Sequence, residues 1–133
     1  MVNGWCFGGA FVPLVSCDIA IAAEDAVFGI SEVNWGVTPG NLVARALAEV
    51  MPTRDAMFYI MTGESFDGRK AAELRLVTEA VPQEQLRARV IEIAGKLTSL
   101  SQWVVRDEAA RTQGIRGFLD DKSYRPGLGT YQQ

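Results

Sequence analysis

Apolar residues recur along this chain in two rhythms, and each asks for a different backbone. Short unbroken runs come first. Val2 to Phe7 reads as the end of a buried strand, Asp18 to Ala22 as a strand with Asp18 at its polar edge, and Val27 to Ile30 as another short strand that delivers Ser31 and Glu32. Between them, Gly8 to Val15 enters a helix, with Pro13 tolerable only in its first turn, and Glu24-Asp25 makes a turn. Residues 36–41, GVTPGN, are turn chemistry centred on Pro39-Gly40.

From Asn41 the rhythm becomes helical. Asn41 can cap a helix in which Leu42, Ala46 and Val50 recur every fourth residue, with Val43 and Leu47 alongside. Pro52 ends it and opens another, capped by Thr53 and stopped at Gly63. Asp67 to Leu74 predicts a third short helix, and Leu76 to Val81 a strand closed by Pro82. Residues 83–100 form the longest amphipathic helix, with Leu86, Val90, Ile93 and Leu97 on one face and Gly95 as a mild defect. Ser101 to Gln113 reads as polar helix, Gly114 to Leu119 as a short helical turn, and residues 120–133, with Pro126, Gly127 and Gly129, as an extended tail.

Composition narrows the function classes. The chain has 133 residues, 48% hydrophobic and 22% charged, enough to bury a core and unlike a disordered chain. A net charge of −3 without a basic patch argues against nucleic acid as a partner. The first seventeen residues carry no charged side chain, yet Asn3, Gly4, Gly8, Gly9 and Pro13 break the run and no basic segment precedes it, so it reads as buried interior and not as a membrane span or export signal. Cys6 and Cys17 fit a reduced, cytoplasmic protein as small buried hydrophobes. No histidine occurs, which removes Ser-His-Asp and Cys-His schemes and most zinc sites. The catalytic groups left are carboxylate, backbone and phenol; no metal is expected.

Two features combine into chemistry. Gly8-Gly9-Ala10 can present backbone N–H groups at the mouth of a helix, where they lack an intrahelical acceptor and suit a developing oxyanion. Glu32 follows an apolar strand, where a partly desolvated carboxylate suits proton transfer. Taken alone, Gly9 reads first as a tight turn with no ligand and Glu32 as a solvated strand-end carboxylate. Phe11, Phe28 and Trp35 can line an aromatic substrate pocket or simply pack a core.

Three stretches carry a family resemblance: Asn3-Gly4-Trp5-Cys6-Phe7-Gly8-Gly9-Ala10-Phe11, Cys17-Asp18-Ile19-Ala20-Ile21-Ala22, and Phe28-Gly29-Ile30-Ser31-Glu32-Val33-Asn34-Trp35-Gly36-Val37-Thr38-Pro39-Gly40. Together they resemble the crotonase (enoyl-CoA hydratase/isomerase) superfamily. Asn34-Trp35-Gly36, Tyr59-Ile60-Met61-Thr62-Gly63 and Phe118-Leu119-Asp120-Asp121-Lys122-Ser123 are similar to its hydroxycinnamoyl-CoA (feruloyl-CoA) hydratase-lyase branch. The resemblance implies an α/β fold, a partial crotonase (ClpP-like) spiral core of short strands and helices followed by a helical C-terminal region. Residues 1–100 would be the C-terminal part of the core and 101–133 a shortened helical region and tail, with about three dozen family residues missing near Gln102.

The resemblance also implies roles. Glu32 would be the acid/base and the Gly9 N–H one of two oxyanion donors, the other lying in a family segment upstream of Met1. Gly8, Trp35, Phe28 and Phe11 would line the substrate site. The substrate would be an acyl-CoA thioester, with no separate cofactor because coenzyme A enters within the substrate, and the chain would form a homo-oligomer, a trimer or hexamer in the family. The branch chemistry adds water to 4-hydroxycinnamoyl-CoA and cleaves the product to an aromatic aldehyde such as vanillin and acetyl-CoA. Two departures stand out. Val12 occupies a position where family hydratases carry a second glutamate and the lyase branch a serine, and Ala10 replaces a usual glycine. Valine neither donates nor accepts a hydrogen bond, which disfavours a two-carboxylate mechanism. Other readings of the resemblance are an enoyl-CoA hydratase or isomerase on another acyl-CoA, and a catalytically incomplete binding or assembly module. Tyr124 and Tyr131 match no motif of the lyase branch, and Lys122 and Arg125 are candidates for contacts with a neighbouring subunit or a CoA phosphate.

Overall fold

The computed structural model describes residues 1–40, 43–100 and 106. Five short strands and five helices, with two 3-10 helices, alternate along it. The mixture of short strands and helices is the α/β architecture expected. The chain divides into two compact units, Met1–Ile91 and Glu92–Gln133.

In the first unit, β1 (Trp5–Phe7) pairs in parallel with β3 (Val27–Gly29), in the register Trp5↔Val27, Cys6↔Phe28 and Phe7↔Gly29. β4 (Ser65–Asp67) runs antiparallel to β3 on its other edge, so the sheet order is β1-β3-β4. A second sheet joins β2 (Ile21–Ala23) in parallel to β5 (Glu79–Val81), and Val2 bridges onto Ala22. β2 is buried throughout, which explains its unbroken run of small and branched apolar residues. Asp18 lies outside that strand, on the exposed approach to it, and the strand extends to Ala23 instead.

The core is aromatic at its centre. Phe28 is fully enclosed, stacked on Phe66 with ring centroids 5.6 Å apart and planes 10° from parallel, while Phe11 meets it edge-on at 6.4 Å. Burying each ring contributes roughly 1.5–3 kcal/mol, and each well-placed pair about 0.5–1.5 kcal/mol more. Tyr59 extends the cluster, 4.3 Å from Phe66.

The helices follow the apolar rhythm with local shifts. α1 (Phe11–Val15) contains Pro13 within its first turn. In α2 (Val43–Val50) the buried positions are Val43 and Leu47, while Ala46 and Val50 are half-buried, so the stripe is centred one residue later than predicted; Asn41 and Leu42 lie outside the described residues. α3 (Thr53–Thr62) begins at Pro52 without a side-chain cap and stops at Gly63, whose φ of 66° lets its N–H reach Tyr59 O at 3.0 Å. α4 (Gly68–Glu73) is capped by Asp67, whose carboxylate accepts from Lys70 N at 2.8 Å. β4, which precedes it, was not expected, because Ser65-Phe66-Asp67 is too short to show alternation. α5 (Gln83–Ser99) buries Leu86 and half-buries Val90.

In the second unit, Ile93 and Leu97 of α5 are half-buried, and Lys96 pairs with Glu92 at 2.7 Å one turn earlier. The readings of residues 107–133, including Lys122, Tyr124, Arg125 and Tyr131, lie outside the described residues. Cys6 is buried as expected. Cys17 is not: it is exposed just beyond the end of α1, its Sγ donating to Pro13 O at 3.2 Å. No helix among the described residues is long and apolar enough to cross a membrane.

Candidate active site

Parallel strands in register deliver their following residues to the same end of the sheet. Because Phe7 opposes Gly29, the segments after β1 and β3 emerge side by side at the strands' C-terminal ends. After β1 comes a 3-10 helix, Gly8–Ala10, leading into α1. After β3 and Ile30 comes a second 3-10 helix, Ser31–Trp35. Glu32 was expected at a strand end; it is instead the second residue of this 3-10 helix, which turns its side chain back toward the first.

The two segments meet at Gly8 and Glu32. Gly8 has φ 52°, a conformation side-chain-bearing residues rarely adopt, and a methyl group there would lie 3.0 Å from Glu32 Oε1 and 3.5 Å from Cδ. Glycine at position 8 is therefore required twice, by its backbone and by the carboxylate against it. Glu32 itself is half-buried, but its Oε2 is buried and accepts no hydrogen bond from the described residues. Leaving a buried carboxylate oxygen unmet costs on the order of 1–3 kcal/mol, so such atoms concentrate where chemistry needs them. Ion pairs hold several other carboxylates of the same unit: Glu24 with Arg69 at 2.6 Å, Glu73 with Lys70 at 2.9 Å, and Glu79 with Arg89.

Gly9 is exposed, and in a 3-10 turn the leading N–H groups have no acceptor inside the turn. The exposed Gly9 turn and the Glu32 carboxylate thus share one end of the sheet. The backbone of the Glu32 turn is held firmly: its carbonyl accepts from Val37 N at 3.2 Å, and Val33 O accepts from Gly36 N at 3.1 Å.

The other predicted site residues separate. Trp35, on the same 3-10 helix as Glu32, is 80% exposed. Phe11 and Phe28 are fully buried and packed on one another, the packing alternative of their two readings. Val12 is half-buried in α1, where its carbonyl accepts from Ser16 Oγ at 2.8 Å. Two features escaped the sequence. One is the steric contact between Gly8 and Glu32, for which the Gly8-Gly9 pair was the available signal. The other is a hydrogen bond from Asn34 Nδ2 to Gly63 O, 3.2 Å long, between residues 29 apart in sequence.

A cleft of about 320 Å³ elsewhere on the unit is lined by Glu24, Asp25, Asp67 and Arg69 with residues 82–84 and contains none of the predicted site residues. Its Arg69 is already engaged by Glu24, whose hydrogen bond raises the guanidinium's proton affinity further. Most of its lining side chains are charged, unlike the mostly apolar lining of a small-molecule site. Among the described residues no cluster of three or more potential metal ligands occurs.

Residues 1–112 match the family model described as enoyl-CoA hydratase/isomerase. The hydroxycinnamoyl-CoA hydratase-lyase of Pseudomonas fluorescens is 44% identical over 165 aligned positions, which cover all of this chain and 60% of that protein. The crotonyl-CoA hydratase of Syntrophomonas wolfei is 33% identical, covering 90% of this chain and 46% of the relative. Among solved structures, the human enoyl-CoA hydratase domain-containing protein 3 superposes with a TM-score of 0.80 at 31% identity, over 86% of this chain and 46% of that one. An enoyl-CoA hydratase from Bacillus anthracis gives 0.80 at 33% identity, over 86% and 45%. The chain thus spans roughly half the length of the relatives it matches.

Proposed function

The chain belongs to the enoyl-CoA hydratase/isomerase family, the crotonase superfamily of enzymes, and from that premise we propose that it carries the catalytic end of an acyl-CoA hydratase-lyase acting on 4-hydroxycinnamoyl thioesters. One observation carries the reading: the Glu32 carboxylate lies with Oε1 against Gly8 while its buried Oε2 has no partner among the described residues, beside the turn that offers the Gly9 N–H. In hydration, Glu32 takes a proton from water as the water oxygen bonds to the β-carbon, and returns it to the α-carbon. Negative charge collects meanwhile on the thioester oxygen, which the Gly9 N–H holds. In the retro-aldol step Glu32 takes the proton of the β-hydroxyl, the α–β carbon bond breaks to release the aldehyde, and Glu32 returns that proton to the α-carbon of the acetyl-CoA enolate. With Val12 unable to position water, Glu32 is the single carboxylate of this scheme.

Substrate preference rests on the P. fluorescens relative and on Trp35. One 3-10 turn separates Glu32 from Trp35, the spacing that sets two side chains on one side of such a helix, and an exposed indole suits stacking on a phenolic ring. Phe11 and Phe28 support the site from beneath as packing. The exposed apolar side chains of Trp5 (86%), Trp35 and Met61 (68%) favour self-association as the accompanying state of the chain.

The test is turnover of feruloyl-CoA, followed through aldehyde absorbance, for the chain and for Glu32→Ala. Aldehyde release that drops at least about 100-fold in the variant is expected for loss of a general acid/base. Equal turnover in both proteins removes Glu32 from the mechanism. A folded, associated chain that turns over no acyl-CoA replaces the enzyme reading with that of an assembly module.

A further inference from the structure

No described residue donates a hydrogen bond to Oε2 of Glu32, and its carboxylate lies against the backbone of Gly8. Its position therefore depends on where the Ser31–Trp35 helix sits. That helix is fastened at its far end by a contact between two distant elements. Asn34 Nδ2 donates to Gly63 O at 3.2 Å, at the residue where α3 stops. The fit is tight from the other side too. The amide of Asn34 occupies the space a methyl on Gly63 would need, its Cγ and Nδ2 each 2.8 Å from that position, and Gly63 has φ 66°. Glycine at 63 both ends α3 and opens the socket that receives Asn34.

We propose that Asn34 is a positioning residue for Glu32: seated on Gly63, it holds the Ser31–Trp35 turn in register with the Gly8–Ala10 turn, and so sets the carboxylate at the site. The inference rests on the proposed role of Glu32, but the geometry it asserts is measurable without catalysis. Asn34 is exposed and two residues from Glu32, so it acts through the turn and not by touching substrate. The short path runs through the backbone bonds that Glu32 O and Val33 O accept from Val37 and Gly36.

The experiment compares the native chain with Asn34→Asp, which keeps shape but replaces the Nδ2 donor by an acceptor facing a carbonyl, and with Gly63→Ala, which fills the socket. The first readout is NMR of the Glu32 side-chain carboxyl carbon and the Gly8 amide. Both signals should move in both variants while the amides of β2 and β5 stay in place, showing that the fold persists. The second is feruloyl-CoA turnover, in which kcat should fall about tenfold or more in Asn34→Asp with KM within about twofold. Asn34→Asp that leaves the Glu32 and Gly8 signals where they were overturns the proposal, whatever the turnover. A native chain without turnover defeats the catalytic reading alone, and the NMR comparison then decides this one by itself. Should Gly63→Ala fail to fold, the Asn34→Asp signals decide.

Discussion

Glu79 and Glu32 both sit at an end of a short pair of parallel strands, and they are treated in opposite ways. Glu79 opens β5, at the N-terminal end of its sheet, and both its oxygens meet Arg89, Oε1 to Nε at 2.5 Å and Oε2 to Nη2 at 3.2 Å. Next to it Thr78 ties the sheet to Ala20 twice, its N–H donating to the carbonyl at 2.7 Å and its Oγ1 accepting from the amide at 3.2 Å. Glu32 follows β3, at the C-terminal end of the other sheet, with one oxygen buried and without a partner among the described residues. The first arrangement satisfies its polar atoms locally and serves stability. The second leaves one carboxylate oxygen buried without a partner among the described residues, at the end of the sheet where the Gly8–Ala10 turn also emerges. The end of the strand decides the difference, because chains leaving C-terminal ends enter turns whose leading N–H groups point outward.

The comparison can be broken first through ionisation. Cys6, in β1, is buried, and burial pushes its thiol up to about 11 from 9.0. A thiol whose affinity for its proton rises on folding stabilises the native state fully below its unfolded value, and that contribution is lost as pH climbs from about 9 toward about 11. The native chain should therefore lose about 2–3 kcal/mol of stability relative to Cys6→Ala across that window, at roughly 1.4 kcal/mol per pKa unit. Denaturant melts at pH 8 and pH 11 measure it; parallel curves for the two proteins would show that Cys6 is not held as a buried neutral thiol.

Gly8→Ala sharpens the contrast next. The strained φ and the contact with Glu32 together should destabilise by about 1–3 kcal/mol. Repeating the change in a Glu32→Gly background should recover part of that cost, leaving the backbone portion. Full cost in both backgrounds would mean that the carboxylate does not press on Gly8. The smallest effect belongs to the satisfied carboxylate. Glu79→Gln should cost under about 1 kcal/mol, since its ion pair is about one-third exposed, and should leave turnover unchanged. A fall in turnover there would end the division between a structural sheet and a functional one.

How legible was this in the sequence? Elements whose signal is local were plain: Gly63 stopping α3, the short helix near Asp67, the long helix opening after Pro82, the apolar run that becomes β3. Where the signal depends on a partner, the reading slipped. β4 is three residues stitched to β3 by pairing alone, and the α2 stripe is centred on Val43 and Leu47 in a helix that packs on both α1 and α3. Cys17 is apolar by type but exposed, since nothing in its composition says that it follows the end of α1.

By itself the sequence determined the chemical alphabet: no histidine, one glycine pair before a helix, one carboxylate after an apolar strand, and motif residues that resemble one superfamily. Those follow from residue type and spacing, which are properties of the chain. Tertiary structure alone decided that Phe28 and Phe11 are core and Trp35 surface, that Glu32 rests on Gly8, and that Asn34 reaches Gly63. Each of those is a meeting of residues about 17 to 29 positions apart, set by the register of β1 on β3 and the packing of α3. Proximity of that kind is fixed when the core closes, and no local pattern encodes it.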